Sequence, residues 1–203
     1  MAAEHYFSST PDGDLKPRRI PVRLAGRDLE VTTAGGVFSP GHLDLGTRVL
    51  LSAVPDAPAD GDLLDLGCGW GPIALALALG SPDARVWAVD VNQRALELVR
   101  RNCDELGIST INAVLPEDVP EDISFRTIWS NPPIRIGKEE LHLLLERWLP
   151  RLEEGADAWL VVQRNLGSDS LQSWLEQAFT GRLDVERSSS AKGFRVLRTT
   201  RLD

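Results

Sequence analysis

Two short stretches carry residue types that could do chemistry. The first is Asp65–Gly71, "DLGCGWG", which follows a run reading as a strand and opens a helix at Pro72. Glycines at alternate positions, Gly67, Gly69 and Gly71, let a backbone turn tightly and approach a ligand closely. In an open α/β sheet, ligands bind at the carboxyl ends of the strands. The dinucleotide pattern GxGxxG would want glycine at position 72, where Pro72 stands. The spacing therefore points away from a pyrophosphate and toward a plain nucleoside. Asp90 ends the next strand, "VWAVDVN", at the distance from the glycines where a carboxylate can accept both ribose hydroxyls; capping the following helix is its alternative use. The second stretch is Ser130–Lys138, "SNPPIRIGK", directly after "FRTIW". A strand ending on Asn131, Pro132 and Pro133 closes on an amide and on two residues that lack backbone donors and fix the chain.

These residues need a scaffold that brings strand ends together. Arg18–Leu24 and Asp28–Thr33 alternate apolar and polar residues around "AGR", which predicts a β-hairpin. "TTAGGVFSPGHLD" is a glycine-rich connection to a helix from about Leu43 to Ala53. After the loop "PDAPADG" the pattern alternates: strand Asp62–Leu66, helix Pro72–Leu79, strand Arg85–Val89, helix Arg94–Leu106, strand Thr110–Leu115, strand Phe125–Trp129, helix Lys138–Leu152, strand Ala158–Gln163 and helix Leu171–Phe179. Two last strands, Arg182–Glu186 and Phe194–Thr199, are joined through "RSSSAKG". Strands alternating with helices predict a mostly parallel α/β sheet covered on both faces, and the final pair without a helix between them predicts one antiparallel strand. Residues 1–54 read as an N-terminal extension packing on the ligand side, and 55–203 as the main domain.

Composition narrows the function classes. The chain has 203 residues and is 42% hydrophobic, enough for one good-sized core. The longest apolar run, "IALALAL" (Ile73–Leu79), is far too short to span a bilayer, and the N-terminal residues lack the apolar core of a signal peptide. A cytoplasmic protein is expected. Cys68 and Cys103 form no CxxC pair and His5, His42 and His142 are scattered, so neither a disulfide framework nor a metal site is expected. The net charge of −8 argues against nucleic-acid binding through bulk charge. The charge is uneven, however. Lys16, Arg18, Arg19, Arg23 and Arg27 cluster near one end, and Arg182, Arg187, Lys192, Arg195, Arg198 and Arg201 near the other, around an acidic Glu117–Asp122. Two basic ends permit an anionic partner; ordinary solvated charge is the plainer use.

Taken together, "DLGCGWG", Asp90 and "NPPI" resemble the class I S-adenosylmethionine-dependent methyltransferases. "TTAGGVFSPGHLDLGTRVLL" (Thr32–Leu51), "HYFSS" and "KGFRVL" resemble a smaller group, the small-domain ribosomal-RNA guanine-N2 methyltransferases of the RsmC type. The resemblance covers roughly residues 5–200 and implies a Rossmann-like seven-stranded methyltransferase sheet. It implies S-adenosyl-L-methionine as cofactor, with Gly67, Cys68 and Gly69 at its methionine and ribose portion, Asp65 at its amino group, Asp90 at its ribose and Val91 on its adenine. Glu117 or Asp118 would meet the adenine amine, and Phe38 and Ser39 would cover the cofactor; core packing is the other use of Phe38.

In such a family "NPP" lies beside the transferable methyl group, and the chemistry explains the residue types. An exocyclic amine conjugated with a π-system is a poor nucleophile and barely basic, so it must be held with its lone pair facing the methyl. The Asn131 side-chain carbonyl and the Pro132 backbone carbonyl, aimed by Pro133, would grip its hydrogens. Ile134 would wall the base, and Arg135 and Lys138 would contact phosphates. The implied partner is ribosomal RNA or the small ribosomal subunit, with no membrane and no metal. Two other readings remain open: a methyltransferase for glutamine amides of proteins, against which Ile134 counts because an aromatic residue normally stands there, and a non-catalytic cofactor-binding ribosome-assembly protein, against which the intact Asp65, Gly67, Gly69, Asp90 and Asn131 count.

Overall fold

The computed structural model describes residues 16–203. "HYFSS" and the side chain of Arg135 lie outside the described part. Strands β1 (Arg18–Leu24) and β2 (Arg27–Thr33) pair as the expected hairpin, followed by α1 (Leu45–Ala53). The main sheet takes β3 (Asp62–Leu66), β4 (Arg85–Val89), β5 (Ile111–Val114), β6 (Phe125–Ser130), β7 (Leu152–Gln163), β8 (Leu183–Ala191) and β9 (Phe194–Arg201). Its helices are α2 (Pro72–Gly80), α3 (Gln93–Leu106), α4 (Lys138–Trp148) and α5 (Ser168–Ala178). The strand order is β5-β4-β3-β6-β7-β9-β8. Pairing is parallel from β5 to β7, and β9 slots between β7 and β8, antiparallel to both. This is the expected seven-stranded Rossmann-like sheet. The chain leaves β3 toward β4 on one side and reaches β6 on the other. The crevice between the carboxyl ends of β3 and β6 is therefore the topological switch point, where such sheets bind ligands.

Alternation along the strands divides the core. Leu64, Leu66, Ile128 and Leu160 face α4 and α5, against Leu141, Leu145, Trp148, Leu171 and Leu175. Leu63, Trp129, Trp159 and Val161 face α1, α2 and α3. Helix α2, "PIALALALG", is apolar all round because it is covered on both sides. Ile73, Ala74 and Leu77 pack on the sheet, while Leu75 and Ala76 pack with Ile20, Val22, Leu24 and Val31 of the hairpin. Asn102 of α3 fastens the hairpin. Its Oδ1 accepts from Thr32 N at 2.7 Å and its Nδ2 donates to Thr32 O at 3.0 Å, so one amide side chain satisfies the free edge of β2.

Two segment expectations are corrected. The helix begun at Lys138 stops at Trp148; Leu149–Arg151, containing Pro150, is a single tight turn, and Leu152 already begins β7. "RSSSA" is strand rather than loop: β8 runs to Ala191, and only Lys192 and Gly193 form the turn into β9.

Candidate functional site

The glycine loop bends back over the end of β4. Gly67 N and Cys68 N both donate to Val89 O, at 2.8 and 3.0 Å, and Gly69 N donates to Asp90 Oδ2 at 2.9 Å. Gly67, Gly69 and Gly71 all take positive φ, at 77°, 54° and 93°, the region that glycine enters without steric cost. A methyl on Gly69 would meet nothing within 4 Å, so the loop is open to an incoming molecule there. The N–H groups of Gly67, Cys68, Gly69 and Gly71 already have partners, so at these positions the loop contributes close approach. The Cys68 thiol is buried and pushed well above its ordinary value by that burial, so it is inert.

Asp65, at 0% exposure, is the unusual group. Its Oδ2 accepts from Ala74 N at 2.8 Å, capping α2 from the neighbouring strand because the N-cap residue, Gly71, has no side chain. Among the described residues its Oδ1 has no hydrogen-bond partner. Burial pushes the carboxyl up to about 8, reinforced by the nearby Asp90 charge. A buried, half-satisfied carboxyl beside an open crevice is costly unless a donor arrives to complete it. Asp90, near Asp65, has its carboxylate held by backbone donors, Gly69 N to Oδ2 and Asn92 N to Oδ1, each at 2.9 Å, with the Val91 N–H beside them. With about four lone-pair directions, the carboxylate keeps acceptor capacity for a ligand hydroxyl. Burial raises its pKa as well. Val91 and Phe38 are large apolar residues left 44% and 48% exposed, Val91 directly after Asp90. The Phe38–Ser39 loop is held locally: Ser39 takes φ 47° and its hydroxyl donates to His42 O at 2.8 Å. Glu117 is exposed in a short turn after β5.

Across the crevice, "NPP" folds into a tight turn. Pro133 has φ −74° and ψ 72°, and Ile134 N donates to Pro132 O at 2.8 Å, an inverse γ-turn. The Pro132 carbonyl is thus rigidly held, as expected, but one of its lone pairs is already engaged. A methyl on Gly67 would lie 3.7 Å from Pro133 Cδ, which places the second proline opposite the glycine loop. Asn131 Nδ2 donates to Asp44 Oδ2 at 2.9 Å and to Thr47 Oγ1 at 3.1 Å. Since a carboxylate only accepts, the amide nitrogen must face Asp44. Among the described residues no donor reaches Asn131 Oδ1, which remains available as an acceptor.

Asp65, Gly67, Gly69, Asp90 and Asn131 are therefore gathered round one crevice, while other expected residues stand differently. Ile134 packs against the core beneath α4. Lys138 is exposed at the start of α4. The basic ends are partly neutralised by folding. Arg19 pairs with Glu30 and Arg23 with Asp28 across the hairpin. Arg187 and Arg195 share Asp169, and Arg198 pairs with Asp157 and Glu186. Arg201 donates to Pro150 O and Leu152 O. The residues that sequence reasoning passed over are Asp44, Thr47 and Phe194, whose Cε1 would lie 2.9 Å from a methyl on Gly46, a methyl that would also lie 3.3 Å from Asn131 Nδ2. Only "LDLGT", with a capping acid before a helix, hinted at the first two.

An open parallel sheet with a glycine loop, an acid at the next strand end and an amide at the switch point defines the class I methyltransferase fold. Residues 28–198 match the model of the methyltransferase small domain, and the chain belongs to that family. It is 32% identical to a protein of Bacillus subtilis strain 168, YbxB, described as uncharacterized, over 98% of this chain and 100% of that one. It is 39% identical to ribosomal RNA small subunit methyltransferase C of Aeromonas hydrophila over 66% of this chain and 38% of the relative. The structure of the Thermus thermophilus 16S rRNA N2 G1207 methyltransferase, RsmC, in complex with AdoMet and guanosine, superposes with a TM-score of 0.79 at 23% identity, covering 93% of this chain and 51% of that one. The chain thus spans about half or less of the methyltransferases named here. Among the described residues no helix is long and apolar enough to cross a membrane, and no group of side chains could hold a metal ion.

Proposed function

We propose that this protein methylates an exocyclic amine, guanine N2 of small-subunit ribosomal RNA, using S-adenosyl-L-methionine. The residues present fit that cofactor. The orphaned Asp65 Oδ1 suits an ammonium donor, the aimed Asp90 carboxylate suits a ribose diol, the open flank of Gly69 admits a ligand, and exposed Val91 and Phe38 suit an aromatic base. When bound, the cofactor supplies an electrophilic methyl group on a sulfonium.

The observation that carries the reading is the held amide of Asn131. Its nitrogen is fixed by Asp44 and Thr47, and its carbonyl oxygen is left without a donor. Asn131 Oδ1 and the remaining lone pair of Pro132 O would accept the two amine hydrogens and turn the nitrogen lone pair outward. As positive charge grows on the nitrogen, both acceptors bind it more tightly, so their contribution falls on the transition state. No strong base is required, and none stands at "NPP". Lys138, exposed at the start of α4, would position RNA through phosphates. The guanine and RNA assignments draw on the similarity to the named ribosomal RNA methyltransferases.

The test is single-turnover transfer of labelled methyl to small subunits lacking the modification. Asn131→Ala should keep cofactor affinity within a few-fold and slow transfer by ~100-fold or more, the usual scale for one preorganised polar contact. Transfer at the parent rate would reduce "NPP" to a strand terminator.

A further inference from the structure

We propose that Asp44 is a positioning residue for the reaction: it orients Asn131, and through it the target amine. The proposal rests on the reading of Asn131 given above. Asp44 belongs to the loop before α1, 87 positions from Asn131 in sequence. Its Oδ2 gathers three donors: Gly46 N at 2.7 Å, Thr47 N at 3.2 Å and Asn131 Nδ2 at 2.9 Å. The first two cap the helix, a task that serine or asparagine performs about as well. The third is what an ionised acid does better. A primary amide can ordinarily turn over and exchange its oxygen for its nitrogen. Turning Asn131 over would bring its oxygen to within hydrogen-bond distance of a carboxylate oxygen, two acceptors face to face. Thr47 Oγ1 alone could not prevent this, because a hydroxyl both donates and accepts. The carboxylate therefore decides which end of the amide meets the substrate. A charge-assisted bond to the N–H₂ group also draws electron density toward Oδ1, making it a better acceptor for a nitrogen gaining positive charge.

The local backbone is shaped to permit this contact. A methyl on Gly46 would lie 2.9 Å from Asp44 Oδ2, 2.9 Å from Phe194 Cε1 and 3.3 Å from Asn131 Nδ2. No side chain fits there without pushing the acid, the ring or the amide aside. In "DLGT" the acid and the threonine are the two acceptors for one amide, and the glycine is the space that lets them approach it.

The experiment is a double-mutant cycle read by single-turnover methyl transfer, with cofactor affinity and thermal stability measured on the same proteins. Asp44→Ser retains a good cap. We expect its melting temperature to stay within a few degrees of the parent, its cofactor affinity and its KM for RNA within about 3-fold, and its transfer rate to fall ~10- to 100-fold. Asp44→Asn, whose amide oxygen would still accept from the cap and from Asn131, should transfer faster than Asp44→Ser; an Asp44→Asn as slow as Asp44→Ser would count against orientation of the amide as the role of this residue. Introduced into Asn131→Ala, Asp44→Ser should cost less than about 3-fold more, because the residue it orients is gone. An equal loss in both backgrounds would overturn the proposal while leaving Asn131 in its role. So would a loss seen in melting temperature and cofactor affinity rather than in rate. If Asn131→Ala itself transfers at the parent rate, the functional reading fails first and the positioning role falls with it.

Discussion

If the buried carboxyl of Asp65 meets the cofactor's ammonium group, as proposed, cofactor binding should be a proton-linked event. Burial holds this group up at about 8, whereas an aspartate in the unfolded chain titrates near 3.8. Without ligand, Asp65 is expected to stay mostly protonated at neutral pH. An ammonium group reaching its free Oδ1 would favour the ionised form, so binding below pH 8 should release a proton. The release should be largest near pH 6–7, where the ligand's own α-amino group (pKa about 7.8) arrives already charged, and should shrink toward pH 8, where that amine must itself take up a proton. Affinity should rise by roughly tenfold between pH 6 and pH 7, pass through a maximum near pH 8 and fall above it. The assay is calorimetric titration with S-adenosylmethionine in buffers of different ionisation enthalpy, since a released proton adds the buffer's heat to the observed heat. Asp65→Asn should bind more weakly, with a heat independent of buffer and an affinity flat between pH 6 and pH 7. The free protein should show the matching trend. Between pH 4 and pH 8 the folded state holds a proton that the unfolded state has lost, so stability falls as pH rises, by at most ~1.4 kcal/mol per unit from this group. In Asp65→Asn that component of the slope should vanish. Buffer-independent heats and a flat affinity in the parent protein would refute the claim that Asp65 is neutral before the ligand arrives.

Asp90→Ala, folded by circular dichroism, should weaken cofactor binding by ~1.5–3 kcal/mol, the worth of charged hydrogen bonds; unchanged affinity by calorimetry would remove the ribose assignment. Lys192 holds φ 50° in the two-residue turn before Phe194, a place that asparagine fills with less strain. Lys192→Asn should therefore leave the melting temperature unchanged or raise it by roughly 1–3 °C, yet weaken RNA binding and lower the salt slope by about 1; an unaltered slope would detach the turn from the RNA. Gly71→Ala faces both φ 93° and a contact of 2.9 Å with Val99 Cγ2, and urea unfolding should show a loss of ~1–3 kcal/mol or more; parent-like stability would mean that the loop relaxes freely.

Much of the candidate site was legible because it is local. Asp65, the three glycines and Pro72 lie within one strand-loop-helix unit, where each residue type answers a backbone requirement of that turn. Asp90 and "NPP" are strand ends, and strand ends on the carboxyl side of a parallel sheet must meet. The alternation of strands and helices likewise determined the sheet and its antiparallel strand. What only the tertiary structure decided is everything set by pairing across long separations. Asp44 and Thr47 meet Asn131 from 87 and 84 positions away, and no periodicity in the sequence encodes that contact. Phe194 comes to the site because β9 enters the sheet beside β7 and its first residue lands by α1. The basic ends, which read as a surface for an anion, lose part of their free charge once strand register brings Arg19 to Glu30 and Arg198 to Glu186. Net charge follows from composition, but which charges remain unpaired follows from register, and register is settled by burying the apolar face of each strand.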